Sequence, residues 1–117
     1  VTQMKVIKKA HIDILEMNED ITIKNSEHFR LMMGKFLTES TSFFILDLSR
    51  VSYLNSSGLG VIADGAMKAS KNGKELVVAG INPPMNEIFE IVKFNTFMEL
   101  FSSLELAEGY FEQKFTL

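Results

Sequence analysis

A chain of 117 residues with a formal net charge of −3 and no cysteine excludes several classes at once. Disulfide staples, cysteine-ligated zinc and thiol nucleophiles are ruled out, and the acidic balance leaves no basic footprint for direct nucleic-acid binding. A hydrophobic content of 46% with 23% charged residues is that of an ordinary globular domain, and residues 1–117 read as one domain without repeat or linker.

No stretch approaches the roughly 20 apolar residues of a membrane-spanning helix. The first fifteen residues, VTQMKVIKKAHIDIL, hold no long apolar run of the kind a secretory leader needs. Membrane insertion is therefore not expected, and a cytoplasmic location is.

In chain order, MKVIK (4–8) and HIDILEM (11–17) read as two short strands, with Ile12 and Ile14 alternating against Asp13. NSEHFRLMMGKFLTES follows as a helix. Phe29, Met32, Met33, Phe36 and Leu37 form one apolar stripe, Asn25 or Ser26 is the expected cap, and Gly34 suggests close packing. SFFILDL (42–48) is an unbroken apolar run, as in a strand buried on both faces. Beyond the junction NSSGLG, the residues Leu59, Ile62, Ala63, Ala66 and Met67 mark a second helix, which Asn72-Gly73 stops. ELVVAG (75–80) is another buried strand. Met85, Ile88, Phe89 and Val92 give a third stripe behind Pro84, which suits a first helical turn. MELF (98–101) reads as a last short strand and SSLELAEGYFEQ as a last helix, capped by Ser102 or Ser103. The order predicts an α/β fold: a mixed, mostly parallel sheet of four to five strands, with about four helices mainly on one face. Phe43, Phe44, Phe89 and the Met32–Met33 pair are assigned to the core. His11 is placed on a strand near an edge, and His28 on a solvated helix surface.

The junction SYLNSSGLGVIADG (52–65) carries the chemistry. Gly58-Leu-Gly60-Val-Ile-Ala63 fits G-x-G-x-x-G/A between a strand and a helix. The ribose-binding carboxylate expected at the end of the next strand is missing, because Val77, Val78, Ala79 and Gly80 stand there. A serine-hydrolase elbow needs a glycine two residues before the serine, where Leu54 or Asn55 is found. The two histidines, both upstream, form no metal cluster with the scattered carboxylates. A helix cap by Asn55, Ser56 or Ser57 accounts for one polar residue, but not for two serines followed by two glycines. A phosphorylated serine also fits, since a phosphate at a helix start meets free N–H groups and adds about −1.5 to −2 charges without unfolding the chain.

ILDLSRVSYLNSSGLGVI (45–62) resembles the signature of the STAS family (sulfate transporter and anti-sigma factor antagonist), and more narrowly that of the bacterial anti-anti-sigma factors. Asp47, Leu48, Val51, Tyr53, Leu54, Asn55, Ser56, Ser57, Gly58, Leu59 and Gly60 fall on the pattern. GKELVVAGINPPMNEIF and SSLELA resemble the family's later strand and helices. The resemblance implies a STAS-type domain acting as an anti-sigma factor antagonist. Its unmodified form would bind a serine-kinase anti-sigma factor and free sigma. That kinase would phosphorylate Ser57, with Ser56 the runner-up, and a serine phosphatase would restore binding. Asn55, Ser56, Ser57, Gly58, Leu59 and Gly60, with Asp64 and Lys68 on the following helix, make the expected partner surface. No catalytic residue, cofactor or metal is expected in this chain. The alternative is a STAS adaptor for a non-sigma partner, either a stressosome-like scaffold or a transporter accessory subunit. The chain departs from the pattern in two places. Asn55 stands where many members carry Asp. In NEDITIKN, Glu19 takes a glycine's place and Thr22 an acid's, with Asp20 nearby.

Overall fold

The computed structural model describes residues 4–116. Its elements are β1 (Met4–Lys9), β2 (Ile12–Met17), α1 (Ser26–Phe36), β3 (Phe43–Asp47), α2 (Ser56–Lys71), β4 (Glu75–Ala79), α3 (Met85–Ile91), a 3₁₀ turn (Phe94–Thr96) and α4 (Leu104–Thr116). The sheet order is β1-β2-β3-β4. β1 runs antiparallel to β2, and β2, β3 and β4 run parallel. Ala10 and His11 join the hairpin between the Lys9–Ile12 pair. Ala10 takes φ +37°, a positive φ of the kind two-residue hairpin loops demand. His11 thus lies in the turn rather than on the expected strand, with its ring stacked on Phe115 at 3.4 Å between centroids.

Side-chain alternation along the strands divides the core into two layers. Leu15, Met17, Phe44, Leu46, Leu76 and Val78 share one cluster with Phe29, Met33, Phe36, Ile62, Ala66, Met85 and Phe89 from α1, α2 and α3. Ile12, Ile14, Ile45, Val77 and Ala79 cluster instead with Ala107 and Phe111 of α4. Three helices therefore cover one face and α4 covers the other. β3 sits between two strands and two helical layers, which is why its sequence is apolar on both faces.

Several local expectations are corrected. Residues 98–101 form no strand but an isolated bridge between Leu100 and Val78. Met98 N is still bonded back to Phe94 O, at the start of the 3₁₀ turn, and α4 begins at Leu104, so too little chain is left for a ladder. The segment nevertheless lies along the outer edge of β4, with Phe101 N donating to Val78 O at 2.8 Å. The third stripe is shorter than expected, because Val92 is only the C-cap of α3 and is 43% exposed. Met67 likewise turns outward from α2, 51% exposed. Phe43 and Met32 are half-buried at the margins of the core.

Gly34 has no packing role, since an added Cβ would meet nothing within 4 Å. The close approach of α1 and α2 occurs at Gly65, where a Cβ would lie 3.0 Å from Met33 Cε and 3.2 Å from Leu37 Cδ1. Asn25 occupies the N-cap of α1 but makes no side-chain cap bond. Its amide accepts from Thr22 N at 2.9 Å and donates to Asp20 O at 2.9 Å, so it organises the preceding turn instead. Ser103 does cap α4, accepting from Leu106 N at 3.2 Å.

Candidate functional site

The start of α2 is held by a stack of two loops. After β3 the chain turns on the buried Asp47, whose Oδ1 accepts from Ser49 N at 3.0 Å and Ser49 Oγ at 2.5 Å. Gly80 passes directly beneath: it has φ +80°, and a Cβ there would sit 2.4 Å from Ser49 N. Only glycine satisfies both the conformation and the space. The loop after β2 then lies along residues 52–55. Asp20 Oδ1 accepts from Ser52 N at 2.7 Å and Tyr53 N at 3.2 Å. Ile21 forms a parallel bridge with Leu54, its N–H bonding Tyr53 O and its carbonyl taking Asn55 N, both at 3.0 Å. Asp20 therefore spends one carboxylate oxygen on pinning the loop that leads into α2. Thr22, at the acid's place in the pattern, takes part in the turn, its Oγ1 accepting from Lys24 N at 3.2 Å.

On this frame the NSSGLG residues separate by role. Asn55 is the cap: its backbone is extended, and its side-chain oxygen accepts from Gly58 N at 2.7 Å. Ser56 and Ser57 are the first two residues of α2, and both are exposed. The cap takes the orphan N–H that a serine would otherwise be needed for, which leaves both hydroxyls at the surface. Gly58 is buried, and a Cβ there would stand 2.9 Å from Ile21 Cγ2 and 3.3 Å from Asn55 Oδ1. Its bareness thus has an internal reason. Gly60 is exposed with nothing within 4 Å of an added Cβ, so no packing inside the chain requires it. Leu59 is half-buried against the core.

Ser57 and Gly60 also line a groove of about 450 Å³ between α1 and α2, together with Arg30, Gly34, Asp64 and Lys68. Asp64 and Lys68 pair along α2 at 2.9 Å. Arg30 is engaged by Glu27, its Nε donating to Glu27 Oε1 at 3.1 Å and its NH2 to Oε2. This contact draws the Glu27 carboxyl below its usual range and raises the Arg30 guanidinium. Among the described residues, no group of three or more His, Cys, Asp or Glu could hold a metal ion. No helix among them is long and apolar enough to cross a membrane.

A family model for the STAS domain matches residues 3–107. The chain belongs to the STAS domain family. BtrV of Bordetella bronchiseptica is 28% identical over 88 residues, covering 75% of this chain and 76% of that protein. An anti-sigma F factor antagonist of Paenibacillus polymyxa is 24% identical over 67% of this chain and 68% of its own length. In structure, the chain is similar to the anti-sigma factor antagonist SpoIIAA in its unphosphorylated form. The TM-score is 0.77 at 12% identity, over 94% of this chain and 96% of that one. It is also similar to the Bacillus cell-fate determinant SpoIIAA in the phosphorylated form, with a TM-score of 0.69 at 14% identity, over 92% of this chain and 97% of that one.

The structure adds two residues to the exposed tip of this STAS domain that sequence reasoning missed as surface groups. Ile23 is 89% exposed and Tyr53 is 52% exposed. Both belong to the paired loops that frame Asn55. An isoleucine in a turn otherwise made of Thr, Lys and Asn was the available sign, because an apolar side chain gains nothing there unless something covers it.

Proposed function

We propose that this STAS domain is an anti-sigma factor antagonist that binds without catalysing, and that Ser57 is its switch. In the unmodified state the tip formed by Asn55, Ser56, Ser57, Leu59 and Gly60, flanked by Ile23 and Tyr53, docks on a serine-kinase anti-sigma factor and frees sigma. The kinase moves the γ-phosphoryl group of ATP to Ser57 Oγ, which loses its proton, and ADP leaves. The added charge of about −1.5 to −2 then breaks the contact, and a serine phosphatase resets it by hydrolysis. ATP and its metal belong to the kinase.

The observation that carries this reading is that Ser57 is exposed on a hydrogen-bonded support whose bonds do not involve its hydroxyl. Asn55 supplies the cap and Asp20 and Ile21 hold the loop, so a phosphoryl group changes the surface without removing a bond that holds the fold. The similarity to SpoIIAA in both phosphorylation states supports the same view.

Intact-mass and fragment analysis of the protein from its own cells, across growth conditions, tests the proposal. One phosphoryl group on Ser57 is expected, together with a kinase retained by the Ser57→Ala protein and lost by Ser57→Asp. Phosphate on Ser56 would move the switch by one residue. Absence of any modification despite full peptide coverage would overturn it in favour of a constitutive STAS adaptor.

A further inference from the structure

The groove beside Ser57 contains a cation whose present partner is a solvent-exposed carboxylate. Met33 and Leu37 of α1 pack on Gly65 of α2, and the two helices run side by side as successive crossovers of a parallel sheet. With Met33 and Leu37 against Gly65, Arg30 falls within about a turn of Gly60 along the groove that both line. A helical side chain leans toward the N-terminus, over the preceding turn, and the contact between the Arg30 fork and Glu27 follows that direction. The guanidinium therefore leans toward the Ser57 end of the groove that both residues line. Gly60 and Gly34 leave both walls bare, with open space around each. The other charges lining the groove are Asp64 and Lys68, bonded to each other. Lys68 is roughly 16 Å farther along α2 than Ser57 at 1.5 Å per residue.

We propose that Arg30 receives the phosphoryl group of Ser57, its guanidinium leaving Glu27 to do so. This inference rests on the reading of Ser57 as the modified residue. The Arg30–Glu27 pair is bidentate but solvent-exposed on both sides, so water and salt screen it. A phosphoryl group offers three acceptor oxygens and up to two charges to a planar fork suited to them. Transfer of Arg30 fixes the phosphate against α1 and frees the Glu27 carboxylate. Phosphorylation then changes the tip in two ways: it adds the phosphate, and it exposes a second anion one helix away.

The test uses the full chain with phosphoserine placed at 57 during translation, so that it does not depend on a kinase. Phosphorus NMR titration at low salt reads the second phosphate ionisation, ordinarily near pKa 6. In the wild-type chain it is expected about half a pH unit lower than in Arg30→Gln, and the difference is expected to persist when both chains carry Glu27→Gln, so that it reads the cation and not an unpaired Glu27 carboxylate. Lys68→Gln is expected to match wild type. Coincident titrations of wild type and Arg30→Gln would overturn the proposal, as would equal shifts in Arg30→Gln and Lys68→Gln, which would mark a general charge effect. A chain never phosphorylated in cells would refute the switch at Ser57, and this titration would still report on Arg30 separately.

Discussion

Gly58 and Gly60 are two residues apart in one helix, and alanine should stabilise the chain at Gly60 but not at Gly58. In an exposed helix interior, Gly→Ala stabilises by about 1 kcal/mol through backbone entropy. Gly60 meets the condition for that gain, because nothing lies within 4 Å of a new Cβ. At Gly58 the Cβ would fall 2.9 Å from Ile21 Cγ2. Ile21 is fully buried, and its backbone is tied to Tyr53 and Asn55 by two hydrogen bonds. It cannot retreat without parting the bridge that holds the tip. Overpacking of this kind costs about 1–3 kcal/mol, which offsets the propensity gain and leaves Gly58→Ala neutral to about 2 kcal/mol less stable. The two variants should therefore differ by about 1–3 kcal/mol, or several degrees in Tm for a chain of this size. Urea and thermal unfolding of both, beside wild type, measure the difference. Stabilisation of both variants by similar amounts would refute the assignment of Gly58 to loop packing. Under the proposed function, Gly60→Ala should weaken capture of the anti-sigma partner while raising stability, because it adds a methyl group to the exposed tip without touching the core.

Asn55→Ala should cost about 1 kcal/mol, the usual value of a lost N-cap, whereas Asn55→Asp keeps the acceptor for Gly58 N and should remain within about 0.5 kcal/mol of wild type by denaturant unfolding. Asn55→Asp also places a charge beside Ser57, so, if Ser57 is the proposed switch, a slower rate of its phosphorylation is expected in an assay with the kinase that the Ser57→Ala protein captures. Gly80→Ala forces an L-residue to φ +80° against Ser49 N at 2.4 Å and should cost more than about 2 kcal/mol, read as a collapse in Tm or in yield of folded protein. Alkaline pH should loosen α4. Glu75 hydrogen-bonds both Lys114 and Tyr110. It holds the Lys114 ammonium above its ordinary value of 10.5, with Tyr110 adding to the effect. Burial first, and Glu75 second, push the Tyr110 hydroxyl above 10.0. Both groups bind protons more tightly in the folded state, so their contribution is complete below about pH 10 and is lost as pH rises through the folded values. Tm measured from about pH 9 upward should fall more steeply in wild type than in Glu75→Gln, and parallel curves would count against the cluster.

Local sequence determined the elements whose signals are local. The apolar stripe of α1, the unbroken run of β3 and the Asn72-Gly73 stop of α2 each depend on neighbours within a turn or two. The strand-helix alternation then allows few topologies. The exposed serines at the start of α2 were legible for the same reason, because the junction between an apolar strand and an amphipathic helix marks where the chain surfaces. What required the tertiary structure depends on residues far apart in the chain. Asp20 takes up two backbone N–H groups 32 and 33 residues away, and no local pattern distinguishes that role from a solvated turn carboxylate. Residues 98–101 have strand-like character, yet the turn before them and the helix after them leave room for only one bridge. Gly58 and Gly60 look alike in sequence and differ only because Ile21 from another loop lies against one of them. Short-range propensity chose the elements and their order. Packing between distant segments decided which polar groups hold the tip and which are left free to meet a partner.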